Sequence, residues 1–458
     1  MDKPTHATDG GTGNELVPNL LFDLGGAAPE ARPAVSGPPR LRYANRQQAE
    51  MRVCALDALI PEDHPVRLVW AYVEKLELGE LLAKIRAVEG AAGASATDPR
   101  ILLTLWLYAT LRGIGSAREL DRRCDPHTGE VPFQWICGGV TVNYHTLADF
   151  RVQHVEVLDN LLTHSVAVLL KEGLVSMERV AQDGMKVRAS AGAASFRRRP
   201  RLEQFRQEAH AQVQALKKEL ETDPGAGQRR QAAARQRAAQ DRAERLRRAL
   251  EQLPHIEASK PAKDKDKARV STTDAEARIM KMGDGGYRPA YNVQLATDTQ
   301  TQIITGVDVT NSGGDQGKLA PMVEQHEQRY EKKPEAMLVD GGFAKKEDIE
   351  KIGQAGTTVY APVQASKDPE RDPHTPRPDD TPQVAQWRQR MATPEAKEIY
   401  KERASTAECV NAHARNRNLY QFRVRGQAKV KAVVLLYVLA HNLLRAAILR
   451  AHQETQGQ

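Results

Sequence analysis

The spacing of hydrophobic positions is helical in the first part of the chain. Between about residues 46 and 175, apolar residues recur three and four positions apart, as they do in amphipathic helices. Asp98 and Pro99 precede one such segment, and an aspartate followed by proline is a common helix start. We therefore predict a helical N-terminal domain over residues 46–175. The Gly-, Pro- and Ala-rich residues 1–45 lack this period and are predicted to form a flexible tail.

The pattern changes to short, continuous apolar runs from about residue 178, which is typical of buried strands. Strands are predicted at about 178–188, 287–296, 303–309, 336–342 and 357–362. A helix is predicted after the third strand and another after the fourth, and two more helices close the chain. This alternation predicts an α/β fold. Residues 176–195 and 276–450 are assigned to one α/β domain.

Two segments interrupt this alternation. Residues 196–253 are rich in Gln, Ala, Arg and Glu, with a break at residues 223–227, and a lysine-rich segment follows over residues 258–275. We interpret residues 196–275 as an inserted helical hairpin with its linker. Residues 364–394 are rich in proline and charge and are predicted to form an irregular insertion.

Positive charge is concentrated in the predicted hairpin. The chain carries a net charge of +7, and residues 197–250 alone contain 15 Lys and Arg against 7 Asp and Glu. This excess indicates an arm that contacts an acidic polymer such as DNA through its phosphates. A solvated, charged coiled coil is the alternative. The candidate contacts are Arg229, Arg230, Arg235 and Arg237.

The N-terminal helices also carry arginines. Arg118, Arg122, Arg123 and Arg151 lie among short helices with tight turns, which suits a helix-turn-helix-like DNA-binding unit. A plain helical bundle explains the same pattern.

Cysteine usage and hydropathy exclude some classes of protein. The four cysteines form no CxxC pair, and the spacing of Cys124, His127 and Cys137 matches no usual zinc pattern. The longest apolar run, residues 433–440, is too short to cross a bilayer, and the N-terminus has no apolar signal core. We expect a cytoplasmic, nucleoid-associated protein with no membrane contact.

One carboxylate lies inside a predicted strand. Asp183 is in the middle of the apolar run 179–188 and is followed by Gly184, although aspartate is depleted in strands. A strand end with a turn at these two residues is one explanation. A metal ligand held on a rigid strand is the other. The residues of this run do not decide between them.

Four short motifs follow one another between residues 183 and 411. They are Asp183-Gly184-Met185-Lys186-Val187-Arg188, Asp284-Gly285-Gly286-Tyr287-Arg288-Pro289-Ala290-Tyr291-Asn292, Val339-Asp340-Gly341-Gly342-Phe343 and Ala407-Glu408-Cys409-Val410-Asn411. Together with the late Arg425-Gly426 and Leu439-Ala440-His441-Asn442-Leu443, they resemble DDE transposases of bacterial insertion sequences, in the branch with an InsH-like N-terminal domain.

The resemblance implies a site and a chemistry. It implies an RNase H-like catalytic core in which Asp183, Asp340 and Glu408 are the catalytic residues and the metal ligands. The expected cofactor is Mg²⁺ or Mn²⁺, with two ions, because two hard cations can serve both ends of an in-line displacement at phosphorus. Other acids are weaker candidates: Asp284 and Asp315 suit turns, and Glu395, Glu398 and Glu402 lie near Glu408 on the same predicted helix.

The resemblance also implies a helix signature, Tyr-x2-Arg-x3-Glu-x6-Lys. Here it matches Tyr400, Arg403, Glu408 and Arg415. The chain departs from it twice, because four residues separate Arg403 from Glu408 and because arginine replaces the lysine. We expect Tyr400, Arg403 and Arg415 to contact DNA, with Lys186 as a further phosphate contact.

The function implied by the resemblance is DNA transposition. The expected partners are double-stranded DNA, as the element's terminal inverted repeats and as target, and a second copy of the chain in a homo-oligomeric synaptic complex. Two alternatives remain at this stage: a decayed transposase that only binds DNA, and an RNase H-fold nuclease without strand transfer. A weaker third is a helical scaffold whose hairpin binds RNA or protein.

Overall fold

The computed structural model describes residues 53–88, 90, 95–222, 229–365 and 370–456. The tail predicted over residues 1–45 and the hairpin break at 223–227 lie outside these ranges. The described residues from Cys54 onwards form one compact unit.

Seven helices precede the first strand in the described part of the chain. They are α1 (Pro65–Glu74), α2 (Gly79–Leu82), α3 (Pro99–Leu111), α4 (Ala117–Arg123), α5 (Val131–Cys137), α6 (Tyr144–Gln153) and α7 (Val155–Lys171). The predicted helix start at Asp98 is confirmed: its side chain accepts a hydrogen bond of 2.8 Å from the Arg100 N–H, and Pro99 opens α3.

The strands form a six-stranded mixed sheet and a separate pair. They are β1 (Arg179–Arg188), β2 (Phe196–Arg197), β3 (Val270–Ser271), β4 (Arg278–Lys281), β5 (Tyr287–Asp298), β6 (Ile304–Thr310), β7 (Ala336–Leu338) and β8 (Thr358–Tyr360). In the large sheet β1 lies at the centre, antiparallel to β5 on one side and parallel to β7 on the other. β8 pairs in parallel with β7, while β4 and β6 both pair with β5. The chain therefore has the predicted α/β architecture.

The remaining helices are α8 (Arg199–Thr222), α9 (Arg229–Ala258), α10 (Leu319–Tyr330), α11 (Lys346–Gln354), α12 (Pro382–Ala392), α13 (Pro394–Arg403), α14 (Cys409–Asn416) and α15 (Gln427–Gln456). A π-helical turn, Ala404–Glu408, joins α13 to α14. The two helices predicted within residues 196–253 are confirmed as α8 and α9.

The prediction of an irregular segment over residues 364–394 is wrong for its last third, which is α12. This helix buries Val384, Trp387 and Met391, whose spacing of three and four places them on one helical face. Nearby prolines and charges obscured this short apolar stripe in the sequence.

Helix α15 connects the helical region to the sheet. It packs on α3, α6 and α7 and also on β6, so one hydrophobic core extends through both parts. By length and composition α15 could cross a membrane, but 67% of its apolar window is buried inside the protein. Residues 433–440 are only the longest uninterrupted apolar run within this helix. Its burial is that of a core helix.

Candidate active site

Asp183 and Asp340 extend from neighbouring parallel strands. Ala181 of β1 is the register partner of Leu338 of β7. Asp183 and Asp340 each lie two residues further along, so both carboxylates belong to the same face of the sheet. Strand pairing ends at Leu338, and Asp340 lies in a turn where its Oδ1 accepts a 2.7 Å hydrogen bond from the Gly342 N–H.

Arg403 at the end of α13 bridges these two carboxylates. Its Nη2 lies 3.1 Å from Asp183 Oδ1 and 3.9 Å from Asp340 Oδ2. The Arg403 side chain is 13% exposed and that of Asp183 18%, whereas Asp340 is 41% exposed. Because both partners are largely shielded from water, the Arg403–Asp183 pair is stronger than a surface ion pair of the same length.

Asn411 donates a hydrogen bond to the second oxygen of Asp183. It is buried on α14, and its Nδ2 donates a 2.7 Å hydrogen bond to Asp183 Oδ2. Each oxygen of Asp183 therefore has a donor, one from each side of the π-helical turn. Asn411 belongs to the motif over residues 407–411 but had no predicted role; the available signal was its position three residues after Glu408, one helical turn along.

The π-helical turn explains the unusual spacing of the helix signature. A π turn closes i→i+5 hydrogen bonds and holds one residue more than an α turn. Ala404–Glu408 therefore accommodates the extra residue between Arg403 and Glu408, while the flanking Arg403 and Asn411 both still reach Asp183.

Glu408 itself lies at the end of this turn with an exposed side chain. Within the described ranges, no three His, Cys, Asp or Glu side chains converge closely enough to hold a metal ion. The structure thus brings Asp183 and Asp340 together, and it leaves Glu408 apart from them.

Burial dominates the electrostatics of Asp183. It raises the pKa of this carboxyl above its ordinary value, while the Arg403 guanidinium and the Gly184 N–H act in the opposite direction and the charges of Asp340 and Asp315 add to the rise. Tyr400 lies half-buried beside the same group, and burial likewise raises the pKa of its phenol. Burial of Asp183 therefore disfavours its ionised form, and the Arg403 charge offsets only part of this effect.

The opposite face of β1 has a different role. Gly184 and Lys186 alternate with Asp183, so they lie on the other side of the sheet. There Asp315 Oδ1 accepts 2.7 Å hydrogen bonds from both Asn292 and Gln294, and it occupies the space that a Cβ at position 184 would need. Gly184 is therefore required for close approach of the Asp315 side chain, and Lys186 is not brought together with Asp183.

Two of the competing acids have other partners. Glu402 Oε2 accepts hydrogen bonds of 2.9 Å from Arg179 Nε and from Thr299 Oγ1. Glu398 is exposed and pairs with Lys401. Neither is grouped with Asp183 and Asp340.

The hairpin arginines fall into two groups. Arg247 and Arg248 on α9 form ion pairs with Glu244 of the same helix. Arg235 and Arg237 are exposed on α9. Arg229 and Arg230 belong to its first turn, but their side chains lie outside the described part of the structure. Arg415, on α14, is exposed.

The N-terminal arginines have unequal roles as well. Arg151, grouped above with the DNA-binding candidates, is buried: its guanidinium lies 4.6 Å from the Trp106 ring centroid and donates a 2.6 Å hydrogen bond to the Gly115 carbonyl. Burial lowers its pKa to about 10. Its role is structural. Arg123 pairs with two glutamates, while Arg118 is exposed and lies over the Tyr144 ring at the start of α6.

Comparison with protein families identifies the class of the chain. Residues 54–153 match a transposase domain (DUF772), and residues 255–443 match a transposase DDE domain. No curated protein and no solved structure matches the chain. Asp340, Asn411, Arg403 and Glu408 lie within the second match, whereas Asp183 lies outside both.

Both matched domains are transposase domains, so the chain is a DNA transposase, an enzyme that cuts DNA. It belongs to the DDE transposases of insertion sequences.

Proposed function

We propose that this transposase binds the terminal inverted repeats of its element, hydrolyses a phosphodiester bond at each end, and joins the released 3′-hydroxyl to target DNA. The observation that carries the proposal is the approach of Asp183 and Asp340 around the guanidinium of Arg403. Two ionised carboxylates this close repel each other, so a cation between them stabilises the ionised pair.

We further propose an RNase H-like catalytic core for the α/β region. Its support is the sheet order. The central strand β1 pairs antiparallel with β5, which pairs antiparallel with β6, and β7 and β8 extend the other side in parallel. In this arrangement the end of β7 lies beside the middle of β1, so Asp340 just past β7 is close to Asp183 within β1.

The donor set fits the divalent cations of this family. Asp183 and Asp340 offer carboxylate oxygens, the ligands that Mg²⁺ and Mn²⁺ prefer, and a cationic group already lies between them as Arg403 Nη2. Glu408, one turn before Asn411, would supply the third carboxylate after its exposed side chain turns inward. When bound, two such ions would activate a water and stabilise the leaving oxygen of the phosphodiester.

The protein's own side chains would orient the reacting groups. The Asn411 amide fixes the rotation of the Asp183 carboxylate through Oδ2, leaving Oδ1 to face the shared cation position. The Gly342 N–H holds Asp340 by Oδ1, so that Oδ2 faces the same position. Two oxygens thus converge with little freedom to rotate, which is the preorganisation that phosphoryl chemistry needs.

DNA would be held by exposed surfaces outside this site. The exposed start of α6, with Arg118 beside Tyr144, is proposed to read bases, and exposed arginines of α9 such as Arg235 and Arg237 to contact phosphates. Because the α6 region shares one core with the sheet through α15, DNA bound at α6 would be held rigidly relative to Asp183. Both element ends must be cut together, so a homo-oligomer is proposed.

A strand-joining assay tests the proposal. Purified protein is incubated with Mg²⁺ or Mn²⁺, a duplex carrying a pre-cut element end, and a supercoiled plasmid. Joined products support a transposase, and cleavage without joining would instead indicate a nuclease of the same fold. Binding alone would indicate a decayed copy, and no binding would overturn the proposal.

A further inference from the structure

Arg403 has two unusual features for a residue expected to contact DNA. Its side chain is 13% exposed, and one of its guanidinium nitrogens, Nη2, contacts both Asp183 and Asp340. In addition, its buried Nε has no hydrogen-bond partner among the described residues. An unpaired buried donor has a free-energy cost, so this arrangement of Arg403 is held by the two carboxylates and not by a full set of hydrogen bonds.

We infer that Arg403 is a resident counter-cation that keeps Asp183 and Asp340 together in the DNA-free protein and must leave them before a divalent cation binds there. The inference rests on the proposed function of these two carboxylates. A guanidinium and a divalent cation cannot both occupy the position between Oδ1 of Asp183 and Oδ2 of Asp340. Binding of one therefore weakens binding of the other.

DNA provides the reason for Arg403 to move. A guanidinium pairs with two phosphate oxygens at once, and this pairing would also satisfy the Nε that has no partner in the described structure. A phosphate near the site would therefore draw Arg403 away from the carboxylates. Metal loading would then depend on bound DNA, because the two equilibria share one side chain. Such coupling would limit cleavage to the DNA-bound enzyme.

The test is the affinity of the DNA-free, full-length protein for Mn²⁺, measured by electron paramagnetic resonance of the free ion. Arg403→Gln removes the competing charge and is expected to bind Mn²⁺ at least about tenfold more tightly. Arg403→Lys retains a charge and is expected to remain weak. Lys401→Gln is the matched control, since Lys401 lies on the same helix but is exposed and paired with Glu398; its affinity should equal that of the wild type.

A second measurement uses the wild type alone, so that it does not depend on the folding of a variant. Mn²⁺ affinity is compared with and without a saturating random-sequence duplex, and a titration of the duplex without protein corrects for ions bound by the DNA itself. Tighter binding in the presence of duplex supports the inference, and equal affinity overturns it.

The outcomes separate this inference from the proposed function. If Asp183→Asn and Asp340→Asn leave Mn²⁺ binding unchanged in the presence of the duplex, the proposed metal site is wrong. If they weaken it while folded Arg403→Gln binds no more tightly than wild type, the site stands and the role of Arg403 is refuted.

Discussion

Asp183 and Asp340 are 157 positions apart in the sequence, and they lie two residues beyond register partners on adjacent parallel strands. Parallel strands run in the same direction. The residue two positions after Ala181 and the residue two positions after Leu338 are therefore also neighbours. The pairing of β1 with β7 alone thus brings the carboxylates together, and Arg403 and Asn411 then fix their orientation.

Replacing one carboxylate oxygen tests the role of this pair. Asp183→Asn and Asp340→Asn should each reduce metal-dependent cleavage of element-end DNA by at least about a thousandfold, because a lost ligand removes several kcal/mol of charge stabilisation. DNA affinity, measured by fluorescence anisotropy, should change little. Asp284→Asn is the control, since Asp284 is an exposed turn residue paired with Arg288. Cleavage retained in Asp183→Asn would remove Asp183 from the site.

Asn411 is expected to act by positioning Asp183. Asn411→Leu removes the 2.7 Å hydrogen bond to Oδ2 and should lower the cleavage rate about 10- to 100-fold, the usual effect of losing a residue that orients a metal ligand. Affinity for DNA should stay the same, because Asn411 is buried. The measurement is single-turnover cleavage at saturating DNA with the Mn²⁺ concentration varied. A weakened apparent Mn²⁺ affinity is expected, and an unchanged one would show that the residue is only structural.

The sequence predicted the larger elements because their signals are local. The cap and proline before α3 and the continuous apolar runs of β5 and β6 correspond to single elements, and each is where it was expected. The buried state of Arg151 could not be predicted, because it depends on the distant Trp106 and Gly115. An arginine inside a helix has the same sequence signal whether it faces a ring or the solvent.

The candidate site was predictable only in part for the same reason. Asp183 and Asp340 were predicted from the family resemblance, because the apolar run around Asp183 was equally consistent with a turn. Arg403 was expected to contact DNA, whereas here it contacts two carboxylates 220 and 63 residues away in the chain. Nothing in the residues near Arg403 indicates this. The π-helical turn was likewise visible only as an extra residue in a signature.

Deleting the extra residue tests the interpretation of the π-helical turn. Removing Ser405, which is exposed, should convert the turn into a regular α turn and leave Arg403 and Asn411 in place. Stability should therefore change by no more than about 1 kcal/mol. Removing the exposed Ala412 from the regular helix α14 is the control. It rotates the following residues by about 100°, including buried Ala414, and should cost about 3 kcal/mol or more.

Urea denaturation followed by circular dichroism measures both deletions. If removal of Ser405 destabilises the protein as much as removal of Ala412, the turn is not an insertion into an otherwise regular helix.

The hairpin arginines provide a charge-matched comparison. Replacing Arg235 and Arg237 with glutamine should reduce the slope of log affinity for DNA against log salt concentration by about 1 per arginine, since each phosphate contact releases about one counterion. Replacing Arg247 and Arg248 removes the same charge, but these residues already pair with Glu244 and should change the slope less. Equally reduced slopes in both variants would mean that both pairs of arginines contact DNA to the same extent. Slopes equal to that of the wild type in both would mean that the hairpin does not contact DNA.

Stability should depend on pH through a buried histidine on α10. His326 is fully buried; its Nδ1 donates to the Met322 carbonyl at 2.7 Å, and its Nε2 accepts from the Thr305 hydroxyl at 2.8 Å. Burial lowers the pKa of His326 to about 4, against 6.5 for the free side chain, with a smaller contribution from the Arg329 charge. The unfolded chain therefore binds one more proton than the folded protein between these pH values.

The sign of the effect follows from this difference. Above pH 6.5 His326 is neutral in both the folded and the unfolded chain, and the free energy of unfolding has its full value. As the pH falls from 6.5 towards 4, the free energy of unfolding decreases by about 1.4 kcal/mol per pH unit and by about 3 kcal/mol in all. His326→Gln should flatten the slope of unfolding free energy against pH by about that amount per unit, whereas replacement of the exposed His452 should leave it unchanged. Denaturant titrations between pH 4 and 7 measure both slopes. A slope in His326→Gln equal to that of wild type would show that His326 is not the group that resists protonation.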